Sequence, residues 1–208
     1  MKKSAIIGLG VIGLIIVIGA SMFFNATGTY DKAVLKQETV LQEWGDVEAT
    51  YQRRMDLIPN LVSTVKAYAE QEKEVLLGVT EARASVGKVT IDGSKLDAES
   101  IAKFQKAQSG LTQALSKLMV IQERYPDLKS NQNFSQLQAQ LEGTENRINV
   151  ARQRYNESVK NYNTFIRGFW KKMYLGWLAE EGEFEKKGMF EAEKGAEKAP
   201  NVGDQFNK

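Results

Sequence analysis

The chain of 208 residues has room for one ordinary domain plus an anchor. Its 28 Lys and Arg balance 26 Asp and Glu to a net charge of +2 spread along the whole length, unlike the concentrated basic charge of nucleic-acid binders. Cys and His are both absent, which removes disulfides, thiolate nucleophiles, imidazole bases and nearly all zinc chemistry, so neither a cofactor nor an enzymatic activity is expected.

Only Pro59, Pro126 and Pro200 interrupt the chain, and alternating β-branched runs are missing, so the expected fold class is all-α. Ala5 to Phe24 is an uncharged apolar run. About 20 such residues span a hydrocarbon core of ~30 Å, longer than the apolar stretch of a cleaved signal peptide. Residues 1–28 therefore read as a short N-terminus and a transmembrane anchor. Lys2 and Lys3 precede the run and the first charges after it are Asp31 and Lys32. The positive-inside rule then places the N-terminus in the cytoplasm and the body on the outer side of the membrane.

Residues 29–169 read as a long-helix antiparallel bundle. A first stripe runs from Val34 through Leu41, Trp44, Tyr51, Met55, Ile58, Val62, Val65, Ala69 and Leu76 to Val79, which predicts one long helix ending near Val86. Pro59 inside it removes the hydrogen bond to the Met55 carbonyl, and a kink is expected there in preference to a fold-back. Kinked, the chain makes three long helices; folded back at Pro59, it makes four. The loop GKVTIDGSK follows, with Asp97 as the N-cap of a helix carrying Ile101, Phe104, Leu111, Leu115, Leu118 and Tyr125. Pro126 ends that helix, and the next carries Phe134, Leu137, Leu141, Ile148, Ala151, Tyr155, Val159, Tyr162 and Phe165. Residues 170–208 show no long period and read as a tail with short elements.

The helix lengths do not match, because the first helix overshoots the second and leaves Val34 to Ile58 without a covering partner. Either the chain reverses at Pro59 or that stripe packs on other protomers, which predicts a homo-oligomer.

The segment RRMDLIPNLVSTVKAYAEQE, Arg53 to Glu72, resembles the hallmark run of the LemA family. NRINVARQRYNESVKNYN, with the pairs Tyr155-Asn156 and Tyr162-Asn163 one heptad apart, resembles the family's second hallmark. The ending, with Phe190-Glu191-Ala192 before Pro200-Asn201-Val202 and Phe206, is similar as well. The resemblance implies a bacterial membrane-anchored helical bundle without established enzymatic activity.

The candidate interaction or register residues are Arg53, Arg54, Asp56, Pro59, Asn60, Tyr155, Asn156, Tyr162 and Asn163. Arg53, Arg54 and Asp56 beside the proline form either a recognition patch or, more plainly, a register device in which one arginine pairs with Glu142 or Glu145. The Tyr and Asn pairs form either a ligand ladder or core positions with hydroxyls at the rim. Trp170, Lys171, Lys172, Tyr174 and Trp177 suit a membrane interface or a packed tail equally. The expected function is a self-associating, non-enzymatic scaffold with an envelope protein as a further partner. The alternative is a monomeric adaptor or sensor with a deep apolar pocket between its helices.

Overall fold

A computed structural model of the chain describes residues 3–192, so Met1, Lys2, Pro200-Asn201-Val202 and Phe206 lie outside it. The first helix, α1, runs without interruption over Lys3–Tyr68, 66 residues and about 99 Å. Its N-terminal stretch is apolar and fully exposed, with a mean hydropathy of 2.5 over the most apolar window, and fits a membrane anchor. Beyond Phe24 the same helix enters the body.

There the core positions of α1 are Val40, Trp44, Val47, Tyr51, Arg54, Ile58, Leu61 and Val65, all buried. They alternate in steps of four and three, the heptad spacing that keeps one seam facing a partner. Val34, Leu41, Met55 and Val62 of the expected stripe are only half-buried, flanking this seam.

Pro59 lies inside α1 with no reversal. The reversal comes ten residues later, at Ala69 to Glu72, before α2 begins at Lys73–Gly87. The expectation of one helix continuing to about Val86 is thus corrected, as is the fold-back at Pro59. The turn has no Gly or Pro, and tertiary contacts hold it. Arg124 Nη2 and the Tyr125 hydroxyl donate to the two oxygens of the Glu72 carboxylate, both at 3.0 Å. Ala69 is buried in the core beneath.

The helix α3 spans Ala98–Ile121, and Asp97 caps it by accepting from the Ser100 amide at 2.7 Å, as expected. A short helix α4, Pro126–Lys129, turns the chain, and α5 spans Gln132–Arg167 with Asn131 capping the Phe134 amide at 3.0 Å. The helix α5 packs along α1 and α3 packs along α2. In the half far from the anchor, α1, α2, α3 and α5 form an up-down-up-down four-helix arrangement. In the near half α2 is absent; α5, the start of α3, and the helix α6, Phe169–Leu178, surround α1 instead. Ile148, Ala151, Tyr155, Val159 and Tyr162 cover the α1 stripe within the same chain, so that stripe is not left over for other protomers.

Two apolar clusters result. The near one contains Trp44, Tyr51, Phe104, Tyr155 and Tyr162, and the far one contains Ile58, Leu61, Leu115, Phe134 and Leu141. Between them lie buried Arg54 on α1, Gln108 on α3 and Thr144 on α5, a polar layer across the bundle.

Candidate functional site

After α6 the chain turns at 181–184 and runs extended over 185–192. This strap lies between α3 and α5, heading away from the anchor and antiparallel to α5. Asn163, Asn156 and Arg152 meet Lys187, Phe190 and Glu191 in turn.

The geometry of the contact follows from two repeat lengths. Asn156 and Asn163 are seven residues apart on α5, about 10.5 Å along the axis. Lys187 and Phe190 are three apart on extended chain, about 10 Å. Each asparagine amide therefore reaches one strap residue and engages both its backbone groups. Asn163 Nδ2 donates to the Lys187 carbonyl at 2.9 Å and its Oδ1 accepts from the Lys187 amide at 3.0 Å. Asn156 does the same to Phe190, at 2.9 and 2.8 Å. Gln105 of α3 repeats the pattern on Glu191, at 2.8 and 3.2 Å, and Arg152 Nη2 donates to the same carbonyl at 3.1 Å.

Between these brackets the strap comes very close to the start of α3. The Gly188 amide donates to the Leu96 carbonyl at 2.7 Å, and the Tyr155 hydroxyl donates to the Gly188 carbonyl at 3.0 Å. A Cβ on Gly188 would sit 2.6 Å from the Asp97 carbonyl oxygen and 2.7 Å from backbone atoms of Ala98, so this residue has to be glycine. The Phe190 ring is buried, stacked on Trp44 at 6.2 Å and edge-on to Tyr155 at 5.5 Å, with the Arg152 guanidinium 5.0 Å from its centroid. The Lys187 side chain is buried too, and the loss of water there lowers its pKa, partly opposed by Glu185 and Asp97.

Burial also raises the Tyr155 phenol, and it pushes Tyr162 up to about 12 with help from Glu185 and Glu183. The Tyr162 hydroxyl has no hydrogen-bond partner among the described residues. The two tyrosines thus lie in the core with their hydroxyls buried and not at the rim, while their asparagine neighbours hold the chain's own strap.

Arg54 is buried at a seam position of α1. Its Nη1 is 3.1 Å from Glu145 Oε2, and its Nη2 donates to Thr112 Oγ1 at 2.9 Å. Arg53 is exposed, rimming an open groove of about 480 Å³ with Asp46, Arg147 and Arg154. Asp56 accepts from Gln52 Nε2 at 2.8 Å, and Pro59 and Asn60 are exposed. The structure does not gather these residues into one patch. The Met55 carbonyl that Pro59 leaves without a helical donor accepts from Arg83 Nε of α2 at 3.2 Å. Gln105, Gly188 and Phe190 are site residues that periodicity missed. The signal available for the strap was the Tyr-Asn repeat itself.

Among the described residues no group of three or more acidic side chains is placed to hold a metal ion. The model of the LemA family matches residues 43–203. The magnetosome protein MamQ 2 of Paramagnetospirillum magneticum is 26% identical over 166 residues, 72% of this chain and 61% of the relative. The magnetosome protein MamQ of Magnetospirillum gryphiswaldense is 25% identical over 171 residues, with the same coverage. The chain therefore spans about three fifths of the length of the curated relatives it matches.

Proposed function

Because this chain belongs to the LemA family, we propose that it is a membrane-anchored, non-enzymatic scaffold of the bacterial envelope that self-associates by exchanging its strap between copies. The observation carrying this reading is the way the strap is held. Asn163, Asn156 and Gln105 each bind backbone groups of one residue, and such bonds are the same whichever chain supplies the strand. The Phe190 pocket and the Gly188 approach are likewise satisfied by a second copy's strap, the economical route to assembly known as domain swapping. Lys2 and Lys3 before the anchor support a cytoplasmic N-terminus, with the body projecting outside the plasma membrane.

The experiment uses the absence of cysteine in the chain. Ala102 and Met189 line one cleft of about 280 Å³ between α3 and the strap. Differently tagged full-length copies carrying Ala102→Cys or Met189→Cys are co-expressed in membranes and treated with a short bismaleimide. Strap exchange gives a covalent dimer carrying both tags, and light scattering in mild detergent gives a multimer. A strictly monomeric mass without the mixed dimer refutes the exchange.

A second reading rests on an open hollow bordered by Phe190, Glu191 and Ala192 of the strap. It measures about 520 Å³ and is also lined by Thr112, Asn149, Arg152, Gln153 and Asn156. This supports an adaptor that accepts an extended segment of an envelope partner beside its own strap, in place of a ligand in a deep apolar pocket.

A further inference from the structure

The apolar side of α6 faces away from the bundle. At roughly 100° per residue, Phe169, Trp170, Met173 and Trp177 fall within one sector of about 100°, and Leu175 falls roughly opposite them. Leu175 is the residue buried in the near cluster. Phe169, Trp170 and Trp177 are 77%, 62% and 60% exposed. The side of α6 turned outward is therefore more apolar than soluble surfaces tolerate without a function.

The position of α6 identifies what that side meets. The helix packs on α1, and Ala26, two residues beyond the apolar run that ends at Phe24, is buried. Tyr30, six residues and about 9 Å beyond Phe24, donates to Glu183 Oε1 at 2.5 Å and lies edge-on to Phe184, just after α6. Since α1 is one unbroken helix, these contacts fix α6 beside the stretch of α1 that directly follows the apolar run.

We infer that α6 is an interfacial helix whose Phe169, Trp170 and Trp177 insert into the outer boundary of the same phospholipid bilayer that holds the anchor. Tryptophans belong at that depth, where the indole ring lies among acyl chains and its N–H reaches headgroups. On the same projection Lys172 borders the apolar sector, about 60° from Phe169, and is suited to phosphate oxygens, whereas Lys171 falls on the Leu175 side, 4.5 Å from the centroid of the Phe165 ring. The body is thus held to the membrane at two places, the anchor and α6.

The test is tryptophan quenching by phospholipids brominated near the headgroup end of their acyl chains, with the full chain in proteoliposomes. The chain has three tryptophans, and the third, Trp44, is buried in the core. The native chain is expected to lose roughly half or more of its emission, since two of its three tryptophans would meet the bromines. A Trp170→Phe/Trp177→Phe double variant keeps Trp44 and is expected to lose almost none, with its helical circular dichroism unchanged as the folding control. Equal quenching of the two proteins, or no quenching of the native chain, overturns the inference.

Discussion

The guanidinium Nε of Arg83 donates to the Met55 carbonyl at 3.2 Å, across from α2 to α1. That carbonyl is the acceptor whose helical donor is missing because residue 59 is proline. The gap in one helix is filled by its neighbour, which ties the turn at Ala69 to Glu72 to a fixed register.

Arg83→Ala is expected to destabilise the far half by about 1–3 kcal/mol, the cost of leaving a partly buried acceptor unmet. Pro59→Ala supplies an amide to the same carbonyl, so the double variant is expected to recover much of that loss. Urea unfolding of the four proteins in detergent, followed by circular dichroism, measures the coupling; additive losses contradict the pairing.

Glu145→Ala leaves the Arg54 guanidinium buried, its side chain 7% exposed, with Thr112 as its remaining partner. A loss of about 1–3 kcal/mol is expected, below that of a fully buried pair because Glu145 is 45% exposed. Arg54→Leu removes the charged member of the polar layer, leaving Gln108 and Thr144, and is expected to come within about 1 kcal/mol of the native chain or to exceed it. The same unfolding measurement compares them, and a larger loss for Arg54→Leu than for Glu145→Ala contradicts this account.

Hydrogen exchange reads the strap directly. The Lys187 and Phe190 amides donate to Asn163 and Asn156 and are expected to exchange slowly, although they lie in no helix or sheet. Asn163→Ala removes two bonds and is expected to speed exchange at Lys187 by about tenfold or more, at ~1.4 kcal/mol per tenfold. Gly188→Val is expected to release the whole strap. An unchanged rate at Lys187 in Asn163→Ala counts against the bracket.

The tyrosines set an alkaline limit. Tyr162 keeps its proton up to about 12 in the folded chain and has an ordinary value of 10.0 outside it. Its contribution to stability is full below pH 10 and is lost as pH rises through about 12, because the unfolded chain releases the proton first. Tyr162→Phe is expected to soften that decline and, since its hydroxyl has no partner among the described residues, to cost little at neutral pH. Tyr155→Phe differs, because it strips a donor from the Gly188 carbonyl. Urea midpoints below pH 10 and near pH 12 distinguish the two.

Much of the bundle was legible because heptad spacing is a direct imprint of helix packing. Trp44, Tyr51, Ile58 and Val65 were placed correctly, as was the Asp97 cap; α3 ends at Ile121, short of the expected stop at Pro126, which instead begins α4, and of the four arginine–glutamate pairings left open the structure holds Arg54 with Glu145. The reversal at Ala69 to Glu72 was illegible because the residues that hold it, Arg124 and Tyr125, lie over fifty positions away. The helix continues through Pro59, as expected in preference to a fold-back, but the Arg83 donor that serves the Met55 carbonyl is remote and could not be read from the sequence. The strap has no period to read, and the Tyr-Asn repeat marked Asn156 and Asn163 as interaction residues without showing that an extended segment of the same chain is what they hold.

One unbroken helix connecting membrane and body has a mechanical consequence. From Phe24 to Tyr68 α1 is a lever arm of about 66 Å, with no loop along it to absorb rotation. A change of about 10° in the tilt of the anchor sweeps the far turn through about 11 Å, well within the range of tilts that membrane helices adopt. With α1 as the anchor, a tilt set by bilayer thickness becomes a lateral displacement of the far turn.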